Sequence, residues 1–197
     1  MAKVAVVYHS TYGHTKLQAE GVHRGAAGVA GTQATLYTAE EASARIDELD
    51  AADAIVFGTA TYMGNIAAGI KSFMEVSVSK WFASAWKDKI AGAFTNSSSF
   101  SGDKLNTLQG LVVFAMQHGM IYVGTGLFPA ASNPASMNSV TGPGPEVANR
   151  VGSFIGPMSA SFQVNPPDAP APGDLATAEA YGRRVAEVTV RFLKGRG

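Results

Sequence analysis

Three short stretches concentrate side chains that can do chemistry: HSTYGHT at 9–15, TATYMGN at 59–65 and NSSSFSGD at 96–103. Together they are rich in hydroxyls and amides and carry three aromatic side chains, Tyr12, Tyr62 and Phe100. They hold one carboxylate, Asp103, and no Lys or Arg. That set lacks a nucleophile–base pair or two facing acids, so it reads as binding chemistry. The first stretch follows an apolar run and feeds a helix N-terminus, where free N–H groups and the helix dipole favour an anion such as phosphate. Ser10, Thr11 and Thr15 add hydroxyl donors, and Gly13 lets the backbone come close. The dipole alone is worth about 0.3–1 kcal/mol near a surface, so several donors must act together.

The same loop excludes other phosphate binders. It has no G-x-x-x-x-G-K-[ST] for a nucleoside triphosphate and no G-x-G-x-x-G turn for a dinucleotide. It also lacks the paired acids that a receiver domain wants after its first strand. A single phosphate held without a cationic side chain, beside loops bearing aromatics, suits flavin mononucleotide (FMN). The plainer alternative is that Ser and Thr cap the helix and Tyr12 packs locally.

Elements must bring these loops together. Apolar runs at 3–8, 53–58, 89–95 and 121–124, with a weaker alternating run at 33–37, read as five strands. Strands apolar on both faces belong to a parallel sheet covered by helices. Helices are expected over 15–29 (Leu17, Gly21, Val22 and Gly25 inward), 66–78 (Ile66, Ile70, Phe73, Met74, Val78) and 104–118 (Leu105, Leu108, Val112, Met116), the last stopped by Gly119. A fourth, over 174–193, starts with Asp174 as N-cap and carries Leu175, Ala178, Gly182, Val185, Val188 and Phe192 on one stripe. The expectation is one doubly wound α/β domain over 1–197, with strand order 2-1-3-4-5. Its ligand site lies beyond the carboxyl ends of strands 1, 3 and 4, where the three loops converge. A long loop, 125–173, dense in Pro, Gly, Ser and Asn, follows strand 5. Its length points to a functional or interface role, or to disorder.

Composition narrows the partners. The 197 residues are 46% hydrophobic and 15% charged, with 15 Lys plus Arg against 15 Asp plus Glu. No basic stripe marks a nucleic-acid partner; the densest clusters are Arg183–Arg184 and Arg191, Lys194 and Arg196. Zero net charge lets copies approach one another. Cysteine is absent, which removes disulfides, thiol nucleophiles and thiolate metal sites. No histidine pair has metal-ligand spacing, so no metal is expected. No apolar run is long enough for membrane insertion, and the expected location is the cytoplasm.

STYGHT (10–15), GTATYMGN (58–65), WFASAWKDK (81–89), TNSSSFSG (95–102) and QHGM (117–120) resemble, in order and spacing, the WrbA-type NAD(P)H:quinone oxidoreductases of the flavodoxin-like superfamily. The resemblance spans nearly the whole chain. It implies a flavodoxin-like fold, bound FMN, NADH or NADPH as electron donor, a quinone as substrate, and dimers or tetramers. It places Ser10, Thr11, Tyr12, Gly13, His14 and Thr15 around the FMN phosphate. Thr61, Tyr62, Met63, Gly64 and Asn65 would lie along the isoalloxazine, as would Asn96, Ser97, Ser98, Ser99, Phe100 and Ser101. His118 would reach the flavin from a neighbouring subunit as the catalytic donor, Trp81 would wall the substrate cavity, and Tyr12 would sit near the nicotinamide.

The chain departs from the family at three places. Ala60-Thr61-Tyr62-Met63 stands where the family has Pro-Thr-Arg-Phe, so a cation is missing from the flavin edge. The loop after strand 4 is serine-rich with a bulky Phe100 where the family is glycine-rich. The family's insertion after strand 2 is absent.

Several residues keep a second reading. His118 also suits a helix C-terminus, where its charge meets the dipole. Trp81 and Trp86 are also core or interface anchors, the reading favoured for Trp86. His14 is expected to face solvent, His23 to lie on the surface and His9 to pack at the strand end. GSFIGP (152–157) either returns to the site or makes a dimer contact. Two rivals to the reductase remain: a non-enzymatic electron carrier, against which zero net charge argues, and an FMN-binding regulatory module.

Overall fold

A computed structural model describes residues 1–195; Arg196 lies outside the described residues. The elements run β1 (Ala2–Tyr8), α1 (His14–Ala27), β2 (Thr32–Thr38), α2 (Ala39–Ala44), β3 (Ala54–Tyr62), β4 (Asn65–Ile66), α3 (Ala68–Val76), α4 (Val78–Phe82), β5 (Ile90–Ser97), α5 (Lys104–Gln117), β6 (Ile121–Tyr122), β7 (Met158–Ala160) and α6 (Pro172–Lys194). A 3-10 turn over Ile46–Ala51 links α2 to β3.

The central strands are buried on both faces, as parallel strands under helices must be. Alternate residues feed two cores. Val4, Val6, Val56 and Phe94 meet Val22, Tyr181 and Val185 of α1 and α6. Ala5, Val7, Ile55 and Phe57 meet Phe73, Trp86, Leu111 and Phe114 on the other side. Trp86 is fully buried and stacks on Phe73, with ring centroids 6.2 Å apart. Helices α1 and α6 touch backbone to backbone: a Cβ on Gly25 would fall 1.8 Å from the Glu179 carbonyl oxygen, and one on Gly182 1.9 Å from that of Val22.

The sheet order is β2-β1-β3-β5-β6, all parallel, with β4 paired to β3 and β7 to β5. This corrects the five-strand expectation: among the described residues there are seven strands, and the fifth position is shared. Strand β6 pairs only with Ile90 and Ala91, and β7 pairs further along with Thr95–Ser97. The long segment therefore leaves and re-enters the sheet edge rather than following a finished strand. Between the two contacts the Tyr181 hydroxyl accepts from the Ala93 N–H at 3.1 Å and donates to the Val123 carbonyl at 2.5 Å. A buried side chain replaces the missing ladder bonds, as an unpaired buried backbone group demands.

The helices also differ in detail. The run 66–78 contributes β4, then α3, and continues into α4 only after Ser77. The buried side of α5 is Lys104, Thr107, Leu108, Leu111, Phe114 and Ala115, while Leu105 and Met116 are exposed. Leu108 faces inward as expected, but apolar residues surround this helix, so periodicity alone misplaced Leu105 and Met116. Gly119 does end it, at φ 68°. Asp174 is not an N-cap: Ala171 holds that position, and the buried Asp174 carboxylate pairs with Arg150 instead.

Candidate active site

The carboxyl ends of β1, β3 and β5 open into one cleft of about 320 Å³, within the usual range of small-molecule sites. Ser10, Tyr12, His14 and Thr15 line it from the first loop, Ala60, Thr61 and Tyr62 from β3, and Asn96, Ser97 and Ser98 from the end of β5 and its loop. The topology brings the three stretches together as expected.

The first loop gathers hydroxyls and backbone amides at the start of α1. Gly13 sits at φ 92°, and a Cβ there would lie 3.1 Å from Pro166 Cγ. Ser10 Oγ accepts from the N–H groups of Gly13 and Lys16 at 3.1 and 3.2 Å. The capping reading is thus correct for Ser10, yet its own proton stays available to donate. The hydroxyls and the first-turn amides of α1 form an uncharged cradle that fits a phosphate. Behind them, Thr61 Oγ1 bonds Thr95 Oγ1 and Thr107 Oγ1, both at 2.8 Å, fastening β3 to β5 and α5.

Above the cleft, Tyr62 and Asn65 pair as the ends of a two-residue hairpin. Met63 and Gly64 at its tip take φ 48° and 72°, both left-handed, as such a turn requires. Asn106 Nδ2 donates to the Gly64 carbonyl at 2.8 Å and pins the tip to α5. Met63 is fully exposed. Tyr12 and Tyr62 meet edge to face, with centroids 6.4 Å apart and planes at 85°.

One wall escaped the sequence reading. Ser161, Gln163 and Asn165 also line the cleft, carried back by the end of the long segment. Phe162 and Gln163 both have positive φ, 47° and 62°, and Phe162 N–H donates to the Ser98 carbonyl at 2.7 Å. His14 Nε2 bonds the Val164 carbonyl at 2.7 Å, so His14 ties this wall to the phosphate loop and does not simply face solvent. GSFIGP lies against β5 instead, with the Pro157 carbonyl accepting from Thr95 N–H at 3.0 Å. His9 Nδ1 bonds Glu40 at 3.1 Å, and the half-buried His23 reaches the Ala34 carbonyl at 3.3 Å rather than lying on the surface.

Thr11, Gly13, Met63, Gly64, Asn65, Ser99, Phe100 and Ser101 belong to the loops without lining the cleft. Phe100 packs edge-on against Phe162, centroids 4.9 Å apart, under the Arg150 guanidinium. His118 and Trp81 are elsewhere. Both line a second cavity of about 550 Å³ between α3, α4 and α5. The 14 residues of α5 place His118 about 20 Å from the cleft end of that helix. His118 Nε2 bonds Ser77 Oγ at 2.9 Å, its ring lies 4.4 Å from that of Trp86, and its buried Nδ1 has no partner. Burial holds its pKa below the ordinary histidine value.

Comparison with known proteins matches this architecture. A family described as NADPH-dependent FMN reductase matches residues 23–134. The chain is 38% identical over 192 residues to the flavodoxin FldP of Pseudomonas aeruginosa, covering 95% of this chain and 97% of that protein. It is 31% identical to an NAD(P)H dehydrogenase (quinone) of Syntrophobacter fumaroxidans, covering 98% and 99%. A solved flavodoxin, WrbA-like protein from Agrobacterium tumefaciens superposes with a TM-score of 0.70 at 39% identity, over 97% of this chain and 99% of that one. The chain belongs to the NADPH-dependent FMN reductase family and is a flavodoxin-like protein of the WrbA type.

Proposed function

We propose that this chain is an FMN-dependent NAD(P)H:quinone oxidoreductase that works by ping-pong hydride transfer, nicotinamide and quinone using one cavity in turn. The cofactor is FMN, NAD(P)H is the electron donor, and the chain is an oxidoreductase. The single observation that carries the quinone reading is the cleft itself. An uncharged phosphate cradle is joined there to a mouth framed by Tyr12 and Tyr62, with no nucleophile or acid pair in reach.

When bound, FMN supplies the two-electron chemistry; the protein binds, orients and excludes water. Ser10, Thr15 and the first-turn amides of α1 hold the phosphate. Tyr62 and Asn96–Ser98 bound the ring site, and Tyr12 receives the nicotinamide. His118 and Trp81 serve the cleft of a neighbouring subunit, in a dimer or tetramer. The exposed Val78, Phe82 and Val113 beside its cavity support that assembly. His118 would there stabilise negative charge on the flavin or the quinone oxygen. NAD(P)H is a cytoplasmic pool, and the cytoplasm is the proposed location. No helix among the described residues is long and apolar enough to cross a membrane.

The likeness to FldP favours a second reading, a flavodoxin-type carrier reduced by a partner protein. Anaerobic titration of the FMN-loaded protein separates the two. Bleaching by NADH or NADPH, then recovery with benzoquinone, is the expected result. Bleaching by dithionite alone would overturn the reductase in favour of the carrier or the regulatory module.

A further inference from the structure

Lys104, the first residue of α5, is fully buried. Its ammonium donates to Ser97 Oγ at 2.7 Å and to the Ser99 carbonyl at 2.5 Å. Ser97 Oγ in turn donates to the same carbonyl at 3.0 Å. Every acceptor is neutral. The carboxylate acting on the ammonium is Asp174 of α6, already bound in two prongs by Arg150 from the long segment and by the Ala160 N–H. Asp103, the preceding residue, is exposed and forms no ion pair with Lys104. A buried cation without its own counter-ion is costly and persists only where something repays it. The turn it grips, Ser97–Ser99, lines the cleft at Ser97 and Ser98.

We propose that Lys104 is a positioning residue that sets the flavin potential, placing a positive charge against the Ser97–Ser99 turn at an edge where Tyr62 supplies none. The inference rests on FMN occupying the cleft as proposed above. A hydride brings two electrons and one proton, so the nicotinamide leaves as a cation and the acceptor gains one negative charge unless another proton follows. A cation in a water-poor site acts on that charge with little screening. The reduced state is favoured, and hydride acceptance from NAD(P)H with it.

The arrangement couples to pH. Burial pushes the Lys104 pKa down to about 8, Asp174 partly opposing and Arg150 adding to the effect. Negative charge arriving in the cleft restores the protonated form. Above pH about 8, reduction therefore draws up to one further proton onto Lys104.

The experiment measures the two-electron midpoint potential of FMN-loaded wild type, Lys104→Met and Lys104→Gln between pH 6.5 and 9.5, with FMN affinity alongside. At pH 7 both variants should shift the reduced-to-oxidised ratio at fixed poise at least tenfold towards oxidised, about 30 mV for a two-electron couple. The extra proton taken up by wild type above pH 8 should vanish in both. A Lys104→Gln potential equal to wild type would overturn the proposal, since Gln keeps a donor and loses only the charge. If neither variant binds FMN, wild type decides: no additional proton above pH 8 overturns it. FMN uptake and NAD(P)H bleaching with a potential indifferent to Lys104 would defeat this inference alone. Failure of wild type to take up FMN would defeat the proposed function as well.

Discussion

Arg150 and Asp174 form a two-pronged ion pair, Nε to Oδ1 at 2.8 Å and Nη2 to Oδ2 at 2.9 Å, both side chains almost fully buried. The pair joins the long segment to the start of α6. Its guanidinium also covers the rings of Phe100 and Phe162, 5.2 and 5.8 Å from their centroids. One interaction thus braces the cleft wall, the serine loop and the last helix. Removing one partner leaves the other charge buried and alone. Arg150→Ala or Asp174→Asn should cost about 3–5 kcal/mol in urea unfolding, and FMN affinity should fall with it.

The close crossing of α1 and α6 sets a second expectation. Gly25→Ala or Gly182→Ala drives a methyl into a facing backbone carbonyl that cannot swing aside. Overpacking of this kind costs about 1–3 kcal/mol. Thermal unfolding should show the loss in either variant, whereas Gly31→Ala meets no neighbour and strains only its turn.

His118 gives the fold a pH dependence. Burial lowers its pKa, so the unfolded chain takes up this proton first as the solution acidifies. Its contribution is intact above the ordinary histidine value of about 6.5 and is lost as pH falls towards the lower folded value. Melting temperature should drop between pH 7.5 and 5.5 in wild type and drop less in His118→Gln. That variant should start about 1 kcal/mol lower for the disturbed Ser77 bond.

The resemblance sets Tyr62 at the position of an Arg in the WrbA-type pattern. If that position governs nucleotide capture, Tyr62→Arg should lower KM for NADPH roughly tenfold, the worth of one charge-assisted hydrogen bond, with kcat little changed. Steady-state kinetics with benzoquinone measures this. An unaltered KM would remove Tyr62 as the specificity determinant.

Much of the site was legible because short-range chemistry writes it. A strand buried on both faces must be continuously apolar, so β1, β3 and β5 stand out in the chain, and the loops beyond their carboxyl ends follow. Glycine at 13 and 119 marks left-handed backbone that other residues resist. Trp86 packs in the core because a large ring buries more apolar area than it can leave exposed.

The remainder depended on partners distant in sequence. Strands of two and three residues, β6 and β7, exist only because β5 offers an edge, so no periodicity announces them. Ser161, Gln163 and Asn165 sit in a Pro- and Ser-rich stretch whose course is set by Tyr181, Arg150 and His14. Asp174 looked like a cap because capping is local; its actual partner lies 24 residues away. Lys104 carries no distinguishing signal in the sequence, and only the folded chain surrounds it. By itself the sequence determined the parallel sheet and the loop after its first strand, since both follow from burial and backbone freedom over a few residues. Tertiary structure alone decided the cleft's far wall, the separate place of His118 and the buried ammonium, because each arises from contacts that chain-local energetics do not specify.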